Sequence, residues 1–181
     1  MAQTDLVPAA RAPVIAAERT AVDGQYLTFS LQGEIFGLEI LRVREIIGYT
    51  QPTEIPLMPA FVHGVINLRG SVVPVIDLAQ RLGRGATELK ARTCIVIVEV
   101  DAADATQPMG ILVDAVDAVL DIGADAIEPA PAFGSGMRAQ FIRGMARREQ
   151  GFIVLLDVGH VFALDELAAL ARGVEHAEAQ A

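Results

Sequence analysis

The chain carries, from residue 61 to residue 78, the stretch Phe61-Val62-His63-Gly64-Val65-Ile66-Asn67-Leu68-Arg69-Gly70-Ser71-Val72-Val73-Pro74-Val75-Ile76-Asp77-Leu78. Its two outer runs are rich in Val and Ile, the residues that favour strands. Asn67-Leu68-Arg69-Gly70, between them, is typical of a tight turn. The stretch therefore predicts a β-hairpin whose tip projects the Arg69 guanidinium, and a rigidly held arginine is a good recognition group.

Further strand-like runs flank this hairpin on both sides. They are short, rich in Val and Ile, and bounded by Gly, Pro, Asp or Gln. They are Tyr26–Leu31, Ile35–Glu39, Arg44–Ile47, Cys94–Val100, Met109–Val113, Ala115–Leu120, Phe141–Arg147 and Phe152–Val158. Helix is predicted only for one turn at Asp77–Leu82 and for Asp165–Arg172, which begins with a capping aspartate. The sequence thus predicts an all-β fold with a short C-terminal helix.

An internal repeat relates the two halves of this pattern. Phe61-Val62-His63-Gly64 recurs 80 residues later as Phe141-Ile142-Arg143-Gly144. Upstream, Gly37-Leu38-Glu39-Ile40 resembles Gly110-Ile111-Leu112-Val113. The repeat predicts two similar units of about five strands each.

The repeat also suggests where the units begin and end. We place them at about residues 25–92 and 93–172, between a mobile leader at 1–24, rich in Ala and Pro, and a mobile tail at 173–181. Because closure removes the exposed edges of a small sheet, each unit is expected to form a small five-stranded barrel of the SH3 or OB type. Two such barrels packed side by side would leave a cleft between them.

Composition and charge exclude several classes of protein. The chain has 181 residues, 52% of them hydrophobic, and a formal net charge of −9, which disfavours binding to a phosphate backbone. The longest uncharged stretch, Ile55–Leu68, contains two prolines and is too short for a membrane span. Cys94 is the only cysteine, and the first residues lack the features of a signal peptide. We therefore expect a cytoplasmic protein.

Residues that could carry chemistry are not grouped in any recognisable pattern. The three histidines share no metal-ligand spacing, and no serine stands in a Gly-x-Ser-x-Gly elbow. Gly83-Arg84-Gly85 and Gly134-Ser135-Gly136 lack the phosphate-binding patterns and are better explained as turns. We predict no catalytic residue, no metal site and no cofactor, and hence not an enzyme.

The motifs together resemble the CheW family of bacterial chemotaxis coupling proteins. The resemblance rests on Gly64–Gly70, the following Val73–Leu78, Gly37–Ile40 with Val43-Arg44-Glu45-Ile46, and Gly110–Asp114, in this order. It implies two five-stranded β-barrel subdomains and a non-enzymatic adaptor. The adaptor would join the cytoplasmic tip of methyl-accepting chemoreceptors to the regulatory domain of the histidine kinase CheA, at membrane-bound receptor arrays.

The resemblance also implies a partner-binding surface, with receptor helices lying in the cleft between the barrels. The implied partner-binding residues are Val43, Glu45, Gly64, Asn67, Arg69 and Val119. Several have a second explanation: Val43 and Val119, assigned to equivalent positions of the repeat, suit the core equally well, and Gly64 suits a backbone geometry that glycine tolerates. Function is favoured for Arg69 because the second half lacks its turn. An ion pair between Arg69 and Glu45 would fix the turn as readily as it would serve binding.

The alternative is a small β-barrel module that binds nucleic acid or oligosaccharide. Such a module needs exposed aromatic side chains on one face of the barrel. The chain has no Trp, two Tyr and seven Phe, most of them within strands, so this reading ranks second and an enzyme third.

Overall fold

The fold consists of eleven strands and two short helices in the residues that the computed structural model describes, 24–101, 105–129 and 141–162. The strands are β1 (Gln25–Leu31), β2 (Glu34–Glu39), β3 (Val43–Gly48), β4 (Val62–Leu68), β5 (Ser71–Asp77), β6 (Cys94–Asp101), β7 (Thr106–Val113), β8 (Ala115–Asp121), β9 (Ile127–Glu128), β10 (Ile142–Arg148) and β11 (Gly151–Leu156). The helices are α1 (Leu78–Arg81) and α2 (Val158–Val161), and 3-10 turns lie at Ile40–Arg42 and Ala124–Ala126.

The predicted fold class is confirmed. The strands form a six-stranded sheet A, in the order β8-β1-β2-β11-β10-β9, and a five-stranded sheet B, in the order β3-β6-β7-β5-β4. The expected turn of helix at Asp77–Leu82 is α1. The expected helix at Asp165–Arg172 and the tail at 173–181 lie outside the described residues, as does the leader except for Gly24.

The predicted boundary near residue 92 does not separate the two sheets. β1 and β2 pair with strands from after residue 92 to make sheet A, whereas β6 and β7 pair with strands from before it to make sheet B. The chain passes from sheet A to sheet B through the 3-10 turn at Ile40–Arg42, and it returns between β7 and β8. Each half therefore donates its first two strands to the other half. A repeat identifies equivalent strands but not their partners, because equivalent partners offer the same pairing chemistry.

The exchange is completed at one parallel strand pair in each sheet. In sheet A, β2 runs parallel to β11 and Gly37 faces Leu155; in sheet B, β7 runs parallel to β5 and Gly110 faces Val75. A Cβ atom added at Gly37 would lie 2.8 Å from Leu155 Cδ2, and one added at Gly110 would lie 3.2 Å from Val75 Cγ2. Glycine at these two positions leaves room for the side chain of the neighbouring strand.

The largest hydrophobic cluster is shared by both sheets. It includes Leu27 and Phe36 from sheet A together with Val98 and Ile111 from sheet B, and α1 and α2 also contribute to it. Each sheet has in addition a smaller cluster of its own. Strands such as β6, which send alternate side chains into two clusters, are thus buried on both faces.

Candidate partner-binding site

The tip of the β4–β5 hairpin is a tight turn with a defined geometry. Leu68 pairs with Ser71, and the two residues between them have left-handed φ angles, 52° at Arg69 and 88° at Gly70. Two such residues in succession are typical of a type I′ turn. Asn67 Oδ1 accepts a 2.8 Å hydrogen bond from the backbone N–H of Gly70. The Asn67 side chain therefore holds the turn in place.

Arg69 and Glu45 form a bidentate ion pair. Arg69 Nη1 donates to Glu45 Oε2 at 2.9 Å, and Nη2 donates to Oε1 at 2.7 Å. The Arg69 side chain is 68% exposed and that of Glu45 is 25% exposed. Glu45 lies on β3 and Arg69 follows β4, which are the opposite edge strands of sheet B. The pair that the sequence suggested is thus present, and it orients the exposed guanidinium.

Gly64 is buried, and the local backbone geometry requires glycine at this position. Its φ angle is 148°, and an added Cβ atom would overlap the carbonyl oxygen of Thr53 and lie 2.8 Å from Pro52 Cβ. Thr53 and Val65 exchange two backbone hydrogen bonds, of 2.8 and 2.9 Å, directly beside it. The geometry accounts for glycine at this position without a partner.

Val43 and Val119 are both half-buried, and both pack against the large shared core. The expectation that they occupy equivalent positions is wrong. The strand registers place Val116 in sheet A where Val43 lies in sheet B, at the point where the register shifts in each sheet. Val119 corresponds instead to Ile46. The spacing of 73 residues between the Gly37 and Gly110 motifs of the repeat gives the same correspondence.

Two exposed aliphatic side chains in sheet B were missed by sequence reasoning. Val72 is 70% exposed and lies opposite Asn67 near the hairpin tip, and Ile46 is exposed beside Glu45. Strand alternation is a signal that could have identified Val72, because successive side chains of a strand point to opposite faces. Val73 is fully buried, and its neighbour Val72 therefore faces outward.

The β10–β11 hairpin presents a different tip. Arg148 pairs with Gly151, and of the turn residues only Gly151 has a positive φ angle, 116°. The exposed ring of Phe152, the counterpart of Val72, lies 5.7 Å from the guanidinium carbon of Arg147, which also pairs with Glu128. The predicted difference between the two turns is confirmed.

The shifted pKa values belong to residues outside the hairpin tip. Burial raises the pKa of the Cys94 thiol. Burial also raises the pKa of Asp117, and the nearby Arg92 and Arg148 guanidinium groups offset this in part.

Within the described ranges, no three His, Cys, Asp or Glu side chains are grouped so as to hold a metal ion. The tip itself offers groups suited to recognition: an oriented guanidinium, a carboxylate and exposed aliphatic carbon.

No helix among the described residues is long and apolar enough to cross a membrane.

Comparison with known proteins identifies the family. The family model described as "CheW-like domain" matches residues 25–166. The chain is 37% identical over 147 residues to "Probable chemotaxis protein CheW" of Rhizobium etli, covering 81% of this chain and 92% of that protein. It is 33% identical over 147 residues to "Chemotaxis protein CheW" of Klebsiella aerogenes, covering 81% of this chain and 86% of that protein.

A solved structure agrees with these relatives. The crystal structure of the scaffolding protein TtCheW from Thermoanaerobacter tengcongensis matches with a TM-score of 0.69 and 35% sequence identity, over 77% of this chain and 92% of that one. Since the family model covers most of the chain, this protein belongs to the CheW-like domain family.

Proposed function

We propose that this protein is a non-enzymatic chemotaxis adaptor that joins methyl-accepting chemoreceptors to the histidine kinase CheA. Membership of the CheW-like domain family supports the proposal, as do relatives named chemotaxis proteins and a relative described as a scaffolding protein. The structural observation that carries it is the exposed Arg69 guanidinium, which Glu45 orients at the tip of a tight turn. A group held in this way loses little conformational freedom when a partner binds.

The proposed receptor surface centres on that ion pair. Arg69 and Glu45 provide the polar contacts, and Val43 and Val119 provide apolar contacts at the margin of the shared core. Asn67 and Gly64 support the surface by holding the turn and the neighbouring backbone. An amphipathic receptor helix, with apolar residues on one face and an acidic residue for Arg69, suits this combination.

The adaptor acts by binding and not by turnover. It changes kinase activity only if its affinity differs between the signalling states of its partners. An adaptor that binds two states equally well does not shift the equilibrium between them. Through the receptors, the protein associates with membrane-bound arrays on their cytoplasmic side.

The alternative, a barrel that binds nucleic acid or oligosaccharide, is not favoured. Phe152, which is 42% exposed, is the one phenylalanine or tyrosine in the described ranges that is not buried or half-buried, and its ring lies beside Arg147. The net charge of −9 opposes binding to phosphate.

Co-sedimentation with a chemoreceptor signalling fragment and CheA tests the proposal. We expect the wild-type chain to sediment with both and Arg69→Ala to lose receptor binding. The exposed ion pair contributes about 0–1 kcal/mol to folding, so this variant should unfold near the wild-type temperature. Arg42→Ala is the matched control, because Arg42 forms a similar two-armed ion pair with Asp101, with both distances 3.3 Å. Equal binding by Arg69→Ala and wild type would overturn the role of Arg69, and absence of wild-type binding to either partner would overturn the adaptor function.

A further inference from the structure

The two repeat-related hairpins are closed at their bases in the same way. In the β4–β5 hairpin, the N–H of Asp77 donates a 2.8 Å hydrogen bond to the carbonyl oxygen of Phe61. In the β10–β11 hairpin, the N–H of Asp157 donates a 2.9 Å bond to the carbonyl oxygen of Phe141. Each phenylalanine therefore marks the base of a hairpin whose tip lies at the other end of two strands.

Arg81, the last residue of α1, contacts both bases. Its guanidinium carbon lies 4.9 Å from the ring centroid of Phe61 and 4.9 Å from that of Phe141. Its Nε donates a 2.8 Å hydrogen bond to the carbonyl oxygen of Val161, at the end of α2. Phe61 belongs to the sheet B hairpin, whereas Phe141 and Val161 belong to the sheet A side, so one side chain connects the two.

The three contacts together require arginine. A cation is attracted to the face of an aromatic ring, and a planar guanidinium can stack on rings while its Nε N–H reaches a carbonyl group. A lysine ammonium is a point charge and cannot meet both rings and the carbonyl with one fixed geometry. The equivalent residue in the second half is Val161, which is fully buried, so the connection is made from one side only.

We propose that Arg81 is a positioning residue that fixes the orientation of one hairpin relative to the other and thereby the separation of their tips. One tip carries Arg69 and exposed Val72, and the other carries Arg147 and exposed Phe152. An adaptor that binds two partners through separate surfaces gains from a fixed spacing, because the second partner then meets a surface already in place. This inference rests on the proposed adaptor function, while its geometric part can be measured without any partner.

The geometric part is tested by the distance between the tips. Spin labels on Ser71→Cys and Glu149→Cys, in a Cys94→Ala background, report that distance by pulsed electron paramagnetic resonance. We expect a narrow distribution in the parent and a broader or shifted one in Arg81→Met. The control is Arg84→Met. Arg84 follows α1 and also reaches across to sheet A, but its partners lie on β2 and not in either hairpin: the ring of Phe36, at 5.4 Å, and the carboxylate of Glu34. Unchanged distributions in Arg81→Met would overturn the inference.

The functional part is tested by comparing binary and ternary complexes. With a chemoreceptor signalling fragment and CheA as probes, Arg81→Met should bind each alone like wild type but form the three-component complex at least about fivefold more weakly, the lower end of typical coupling between sites. An equal ternary affinity overturns the inference. Absence of wild-type binding to either probe overturns the proposed function instead, and the label distances still decide the geometry.

A second variant covers a failure of Arg81→Met to fold. Arg81→Lys retains the charge and most of the length but loses the planar group and the Nε donor. It should show the same broadening in weaker form, and a purely structural role would lower the unfolding temperature without changing the distance distribution.

Discussion

The Nε of Arg81 donates a 2.8 Å hydrogen bond to the carbonyl oxygen of Val161, and the two residues hold the same position in the two halves of the chain. A residue that contacts its own counterpart lies where the repeated units meet. Here the units are joined by exchanged strands, since β1–β2 and β6–β7 each complete the sheet of the other half. The contact between Arg81 and Val161 therefore links two sheets, and neither sheet is built by one half of the chain alone.

The exchange predicts how the separated halves behave. Chains of residues 1–92 and 93–181 should each fail to fold as monomers, because each lacks the strands that complete its sheets. Mixed together, they should form a one-to-one complex with dispersed amide signals in NMR spectra. A well-dispersed spectrum from either chain alone as a monomer would contradict the exchanged topology.

Gly64→Ala should lower the free energy of unfolding by about 4 kcal/mol, because the new Cβ overlaps backbone atoms in a left-handed conformation. The crowding involves the carbonyl oxygen of Thr53, which is fixed by its bond to Val65. Gly70→Ala is the control: Gly70 has a φ of 88° but no atom within 4 Å of an added Cβ. It should lose only about 1–2 kcal/mol, the conformational cost. Urea denaturation measures both, and equal losses would contradict the crowding.

Asp77→Ala should cost about 3 kcal/mol of stability, since a buried cap and its hydrogen bonds are lost together. Asp77 is 3% exposed, and its carboxylate accepts bonds of 2.9 and 2.7 Å from the N–H and hydroxyl of Thr87. The equivalent Asp157 caps α2 with a side chain that is 33% exposed. Asp157→Ala should therefore cost about 1 kcal/mol. Thermal unfolding compares the two, and a larger loss at Asp157 would count against the account.

Cys94 should make stability depend on pH in the alkaline range. Burial raises the pKa of its thiol above its ordinary value in the folded chain, so folding is favoured while the thiol is protonated. That contribution is complete below the unfolded pKa and is lost as pH rises through the folded pKa. Relative to Cys94→Ala, the wild type should lose unfolding temperature as the pH rises above about 8.5, the ordinary pKa of a cysteine thiol. Parallel curves for the two proteins would refute this.

The sequence by itself predicted the features that depend on neighbours along the chain. Val- and Ile-rich runs predicted the strands, and Asn67-Leu68-Arg69-Gly70 predicted the exposed turn that the φ angles of Arg69 and Gly70 confirm. The order of motifs predicted the family. These features are local, because strand propensity and turn geometry are set within a few residues.

Tertiary structure alone decided which strands pair and what Gly64 and Arg81 do. It exchanged the strands of the two halves, and it showed that Gly64 is required by the backbone of Thr53. It also brought Arg81 to Phe61 and Phe141, although nothing in the sequence marks Arg81 as special. Equivalent strands of a repeat have the same side-chain pattern, so only packing of the whole chain chooses between pairing within a half and pairing across halves.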